Sequence, residues 1–231
     1  MRTLPLLLAL AIALAAAPAA AADAERPTVI ELFQSQGCSS CPPANAALIE
    51  FADRKDVLAL NFAVDYWDRL GWKDTFARPE FTQRQWAYAH AMGRPDVYTP
   101  QVVVNGRVDG VGADVGEMRE LAQRADRGAT GPQVTIEPGA VTIGPGSAPP
   151  HGADVWLARY DPNIVNVAVQ RGENAGRTLA HKNMVREMIL LGHWNGETER
   201  LALPPPSRPG LADAVLVQTS GAGPILAAAK G

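Results

Sequence analysis

Residues 28–33, Thr-Val-Ile-Glu-Leu-Phe, form an apolar, β-branched run between Pro27 and the polar Gln34-Ser35-Gln36-Gly37, and this predicts a buried strand. Residues 44–54 are rich in helix formers, and 57–64 is a second apolar run of strand length. Together they predict a right-handed βαβ unit with parallel neighbouring strands. Residues 79–92 carry Phe81, Gln85, Tyr88 and Met92 at helical spacing, with Pro79 suited to a first turn and Gly93-Arg94-Pro95 to end the helix. Asn105-Gly106 between apolar runs is a tight-hairpin signal, and Asp114 caps a helix running to about residue 127 on a buried stripe of Val115, Met118, Leu121, Ala122 and Ala125. The predicted order over residues 23–129 is strand, helix, strand, helix, strand, strand, helix.

The pattern changes beyond residue 129. Turn-rich segments at 128–132 and 144–150 separate short runs at 134–136, 140–143, 154–160, 164–170, 199–203 and 214–219, with Val165, Val167 and Val169 alternating. Residues 181–191 fit an amphipathic helix or a strand. This predicts an antiparallel β module over 130–231, for which a β-sandwich is one arrangement. The Gly-rich charged stretch 171–177 lacks phosphate-loop spacing and is expected to be a solvated turn.

The first 22 residues are patterned as an address: Arg2 is a positive n-region, residues 4–17 an apolar h-region, and Ala20-Ala21-Ala22 before Asp23 a cleavage site. The expectation is a signal peptide, a periplasmic or secreted chain, and no membrane span after cleavage. A net charge of −3 with 19% charged residues supplies no electrostatic reason to bind nucleic acid.

Export directs attention to the only two cysteines, Cys38 and Cys41, at the junction of the first strand and helix. Zinc wants four ligands, and neither a second cysteine pair nor a closely spaced histidine pair exists, so no metal or other cofactor is expected. Outside the cytosol the pair can cycle between dithiol and disulfide, and a loop this small gains little as a structural staple. The free amide hydrogens and dipole at a helix start favour a Cys38 thiolate. Because Pro42-Pro43 removes two of those donors, the regular helix is expected to start late. Cys38 is expected to be the accessible nucleophile and Cys41 the shielded, resolving thiol. Trp67 and Trp72 lie in the loop following the second strand, where they either anchor the loop or offer a substrate surface.

The element order, Cys38-Ser39-Ser40-Cys41 after the first strand, and Thr99-Pro100 entering the third strand resemble the thioredoxin superfamily over residues 23–129. More narrowly, Glu31-Leu32-Phe33, Gly37-Cys38-Ser39-Ser40-Cys41-Pro42-Pro43, Val64-Asp65-Tyr66-Trp67-Asp68, Gly71-Trp72-Lys73-Asp74 and Tyr98-Thr99-Pro100-Gln101 resemble an exported bacterial thioredoxin-like family called a domain of unknown function. The resemblance implies a cis Thr99–Pro100 bond beside the cysteine pair, with Thr99 and Pro100 presenting backbone to a substrate. It also implies that Glu31, one residue further from the pair than that superfamily's acid, is a buried base for Cys41. The function so implied is thiol–disulfide exchange on protein thiols or disulfides of the periplasm, recharged by a redox partner protein. Two other classes stay open: a binding module with a structural disulfide, and a copper carrier using the cysteines and a histidine such as His90.

Overall fold

The computed structural model describes residues 23–128 and 130–231 of the chain, so the expected signal peptide lies outside the described residues. Strand β1 (Thr28–Gln34), helix α1 (Cys41–Ala52) and strand β2 (Val57–Ala63) form the βαβ unit, with β1 and β2 parallel. Helix α2 (Pro79–Ala91), the hairpin β3 (Gln101–Val104) and β4 (Val108–Gly110), and helix α3 (Val115–Arg124) follow. The carboxylate of Asp114 accepts from the Glu117 amide at 2.9 Å and caps α3. Strand β3 runs antiparallel to β1 with Phe33 opposite Gln101, which brings residues 99 and 100 to the end of β1 where the cysteines begin. Helix α1 starts at Cys41 and carries Pro42 and Pro43 in its first turn, earlier than expected. There a missing N–H costs nothing, since first-turn amides have no partner within the helix.

The second half comprises β5 (Val134–Glu137), β6 (Ala140–Ile143), β7 (Ala153–Asp161), β8 (Val165–Ala168), β9 (Thr178–His181), β10 (Met184–Trp194), β11 (Glu199–Ala202), β12 (Ala212–Thr219) and β13 (Ile225–Lys230). Four of these strands continue the first sheet. One eight-stranded, mostly antiparallel sheet runs β13-β12-β7-β10-β2-β1-β3-β4, joined across the halves where Met184 pairs with Asn61. The remaining strands form a three-stranded sheet β11-β6-β5 and the separate hairpin β8-β9. The expected β-sandwich is therefore present only as a small sheet layered on part of the large one, because the open edge of β2 accepted strands from the second half.

Strand alternation assigns the faces. Val29, Phe33, Leu58, Leu60 and Phe62 pack with Phe81 and Tyr88 of α2, joined by Tyr160, Leu216 and Ile225 from the second half. Ile30, Leu32, Val57 and Ala59 point to the other face, under Ala44, Leu48 and Phe51 of α1 and Met118 and Leu121 of α3. On that same side Val155, Leu157, Val215 and Val217 bury against Val141, Ile143 and Trp194, the core shared with the small sheet.

Candidate functional site

The site forms where the carboxyl ends of the parallel strands β1 and β2 open into loops, the edge of a sheet where such folds bind ligands. Cys38 and Cys41 are joined as a disulfide with Cα atoms 5.4 Å apart. The turn is tied locally by Cys38 N–H to Ser35 O at 3.1 Å and Cys41 N–H to Cys38 O at 3.2 Å. The Oγ of Ser40 lies 3.3 Å from the Cys38 sulfur and 3.4 Å from the Thr99 carbonyl oxygen. Thr99–Pro100 is cis, and Trp67 donates from Nε1 to Thr99 Oγ1 at 2.8 Å. Trp72 donates from Nε1 to Gln36 Oε1 at 2.9 Å. The structure thus gathers Cys38, Cys41, Thr99, Pro100, Trp67 and Trp72 around one turn, both tryptophans half-buried and bonded into the loops that frame it.

The approach to that turn is buttressed by Asp74, whose carboxylate accepts from Gln36 N–H at 2.7 Å and Phe76 N–H at 2.8 Å. Burial pushes its pKa up to about 6, against these bonds, which pull it down.

Glu31 is not part of this constellation. It is fully buried, but alternation along β1 turns it, with Val29 and Phe33, to the α2 face, whereas α1 and Cys41 lie on the other. There Arg84 donates from Nε and Nη2 to its two carboxylate oxygens at 2.7 and 3.1 Å, and Tyr88 Oη–H makes a short bond to it. Arg84 also reaches Gln218 of β12 at 3.2 Å. The one-residue offset from the superfamily's acid, which falls at Leu32, is enough to exchange faces in a strand. Glu31 is a structural carboxylate tying β1 to α2 and β12, a correction to its expected role as a base. His90 sits on α2 against Trp86, with ring centroids 5.7 Å apart, on the face away from α1. Among the described residues no group of three or more His, Cys, Asp and Glu side chains is arranged to hold a metal.

Two expectations need correction at the turn itself. Cys38 is 0% and Cys41 1% exposed, so the first sulfur is as covered as the second. The second concerns the stretch 171–177, which forms the tip of the β8–β9 hairpin: it is exposed, as a solvated turn should be, except at Asn174, which docks the tip on the backbone of the disulfide turn. Asn174, itself 0% exposed, donates from Nδ2 to Gln36 O at 3.0 Å and Cys38 O at 2.9 Å. Glu173 accepts through one oxygen from Ser39 N–H at 3.0 Å and Ser39 Oγ–H at 2.7 Å, and these bonds lower its pKa.

The base of the same hairpin meets α1 one turn beyond Cys41. Asn45 donates from Nδ2 to His181 Nδ1 at 2.7 Å, and Asn61 of β2 donates to Asn45 Oδ1 at 2.7 Å. All three side chains are buried, and burial pushes the His181 pKa down to about 4, with Arg186 adding to the effect. A neutral imidazole protonated at Nε2 fits an Nδ1 that accepts. Sequence reading missed Glu173, Asn174 and His181, whose roles arise from contacts between distant segments; the polar Asn61 in an otherwise apolar β2 was the available signal.

The sequence profile described as "Protein of unknown function (DUF1223)" matches residues 29–218. A structural-genomics crystal structure of a protein from Agrobacterium tumefaciens is similar at a TM-score of 0.73 and 34% identity, covering 88% of this chain and 92% of that one. HBP35 of Porphyromonas gingivalis is similar at a TM-score of 0.61 and 15% identity, over 90% of this chain and 75% of that one, a likeness of fold alone. No curated protein matches the chain.

Proposed function

Since the chain belongs to the DUF1223 family, whose function is unknown, we propose from its own chemistry that it is an exported thiol–disulfide oxidoreductase built on a thioredoxin-like βαβ core. The observation that carries this reading is a four-residue disulfide turn, Cys38 to Cys41, opening helix α1 at the carboxyl ends of two parallel strands. A disulfide closing so small a loop contributes little chain entropy to stability, whereas its position at a helix start is one that activates thiols. In the reducing direction, the Cys38 thiolate attacks a substrate disulfide, forming a mixed disulfide and releasing one substrate thiolate, which takes a proton from solvent. The Cys41 thiolate then attacks Cys38 Sγ, the mixed bond breaks, and the second substrate thiolate leaves. Two electrons have passed to the substrate, and a partner dithiol returns them. The oxidising direction is the same sequence reversed.

Three features of the site act on these steps. Pro42 and Pro43 remove donors from the start of α1, which weakens its support for an anionic Cys38. Ser40 Oγ–H, which donates to Thr99 O in the disulfide form and lies 3.3 Å from that sulfur, is placed to turn to a Cys38 thiolate in their place. Thr99, held by Trp67, lines the same edge and offers backbone to an incoming chain. An oxidising compartment suits a chain whose two cysteines are paired.

One observation favours a second reading, a structural disulfide in a binding module: both cysteines are buried. Equilibration against glutathione buffers separates the two. The redox reading expects a couple in the range of cellular dithiols, and a reduction potential below about −300 mV would sink it in favour of the staple.

A further inference from the structure

We propose that the tip of the β8–β9 hairpin is a latch over the disulfide: Glu173 and Asn174 keep Cys38 out of reach of small thiols, and a partner chain must displace them before exchange begins. The proposal rests on the redox reading above. It is carried by the unequal way the two residues hold the turn.

The tip is a built turn. Val169 N–H bonds Arg177 O and Gly176 N–H bonds Val169 O, both at 2.9 Å, and Gly172 and Gly176 take φ of 79°, a left-handed conformation that glycine adopts without strain. Arg177 donates to Asn174 Oδ1 at 2.7 Å, so the amide is oriented with its Nδ2 toward the turn. A Cβ on Gly172 would sit 3.3 Å from that of Trp72, so the tip also rests against the loop carrying that ring. The tip therefore touches both the disulfide turn and the loop that carries Trp72.

Its two bonds differ in how readily they exchange. Glu173 is exposed, and water or another acceptor can replace its carboxylate at Ser39 with little loss. Asn174 is buried, and withdrawing it leaves the carbonyl oxygen of Gln36 without a donor and that of Cys38 with the Cys41 N–H alone, which is costly unless another donor arrives. Opening should begin at Glu173 and finish at Asn174. What finishes it must offer an acceptor to Ser39 and a donor to Gln36 O, and the C=O and N–H groups of an extended polypeptide meet both demands. A small thiol has neither arranged to do so. Glu173 also puts a negative charge beside the start of α1, which has no acidic side chain in its own first turn. That charge opposes a Cys38 thiolate until the latch lifts.

The test is the rate at which dithiothreitol in excess reduces the oxidised full chain, followed by the change in tryptophan fluorescence, to which Trp67 and Trp72 beside the disulfide contribute, with far-UV circular dichroism verifying the fold of each variant. Asn174→Ala should react at least tenfold faster than the wild type and Glu173→Ala several-fold faster. Glu173→Gln, which keeps an acceptor and loses the charge, should fall between wild type and Glu173→Ala. If Asn174→Ala does not fold, the exposed Glu173→Ala carries the test. Rates within twofold of wild type in every folded variant overturn the latch. A wild-type couple in the range of cellular dithiols with such unchanged rates overturns the latch alone. Accelerated reduction in a protein whose potential lies in the structural range keeps the latch and overturns the redox reading.

Discussion

Cys38 and Cys41 share one bond but differ in their neighbours. Ser40 Oγ borders Cys38 and reaches the Thr99 carbonyl, whereas Cys41 is the first residue of α1 and is buried on it with Ala44 and Leu48. Under the redox reading, Cys41→Ser should accumulate covalent complexes that dissolve on adding reductant, and Cys38→Ser should yield none; gels with and without reductant check this, and equal trapping would reverse the roles. Glu31 belongs to a different account. Removing one partner of a buried ion pair strands the other, so Glu31→Gln should lower unfolding stability by about 3–5 kcal/mol by leaving Arg84 uncompensated. The same variant should leave the pH dependence of disulfide exchange unchanged in the folded protein. Why one set of residues was legible and the other was not follows from sequence distance. The cysteines, Thr99-Pro100 and the tryptophans declare themselves by local motif, whereas Glu31 required knowing which face of β1 it takes. Asn174 required knowing that a loop 136 residues beyond Cys38 folds back onto it.

The β8–β9 hairpin is the element that ties chemistry to packing, its tip on the disulfide and its base on α1 through His181. With a folded pKa near 4 against an ordinary 6.5, His181 binds a proton more readily unfolded, so its contribution to stability is full near neutrality and is lost as pH falls from 6.5 toward 4. The groups facing it are Asn45, Phe76 and, electrostatically, Arg186. Asp74 works in the opposite sense. Its pKa of about 6 lies above the ordinary 3.8, so the stability gained by its protonation is present at low pH and is lost as pH rises through 6. The two partly cancel between pH 4 and 6. Asp74→Asn keeps one of the two accepting oxygens and sets an amide N–H2 against the other N–H donor, a penalty at every pH. Because only the wild type titrates there, the variant's stability relative to wild type should nonetheless rise by on the order of 3 kcal/mol between pH 4 and neutrality. Urea unfolding at several pH values reads this, and parallel wild-type and variant profiles would refute it. Strand legibility tracked regularity. Strands β1 and β2 read cleanly as apolar runs, while β10 carries register shifts at Val185/Glu187 and Leu190/Gly192 that break its alternation. Strand β13 is alanine-rich and carries almost no β signal of its own; its pairing with β12 makes it a strand.

At the scale of the molecule, the sheet crosses the point where the composition changes. Ala158, Tyr160, Val185, Leu216 and Ile225 complete the core beside α2, and Ile225 N–H bonds Asn105 O at 2.9 Å in the β3–β4 turn. A fragment spanning residues 23–128 would expose that apolar face and the edge of β2. It should show no cooperative thermal transition and should bind a hydrophobic dye, while the chain from residue 23 to 231 should unfold in one step. A cooperatively folding fragment would restore the first half to independence. Composition could show where the turns and strand runs change, but a sheet shared by both halves depends on edge pairing, which leaves no local trace. The separation of 136 residues between Asn174 and Cys38 also has a temporal side. A chain synthesised from its amino end completes the Cys38–Cys41 segment long before the hairpin that packs against it exists. Under the latch reading, the disulfide of an exported chain forms most readily before residues 173 and 174 have docked, and selectivity among partners is acquired only with folding.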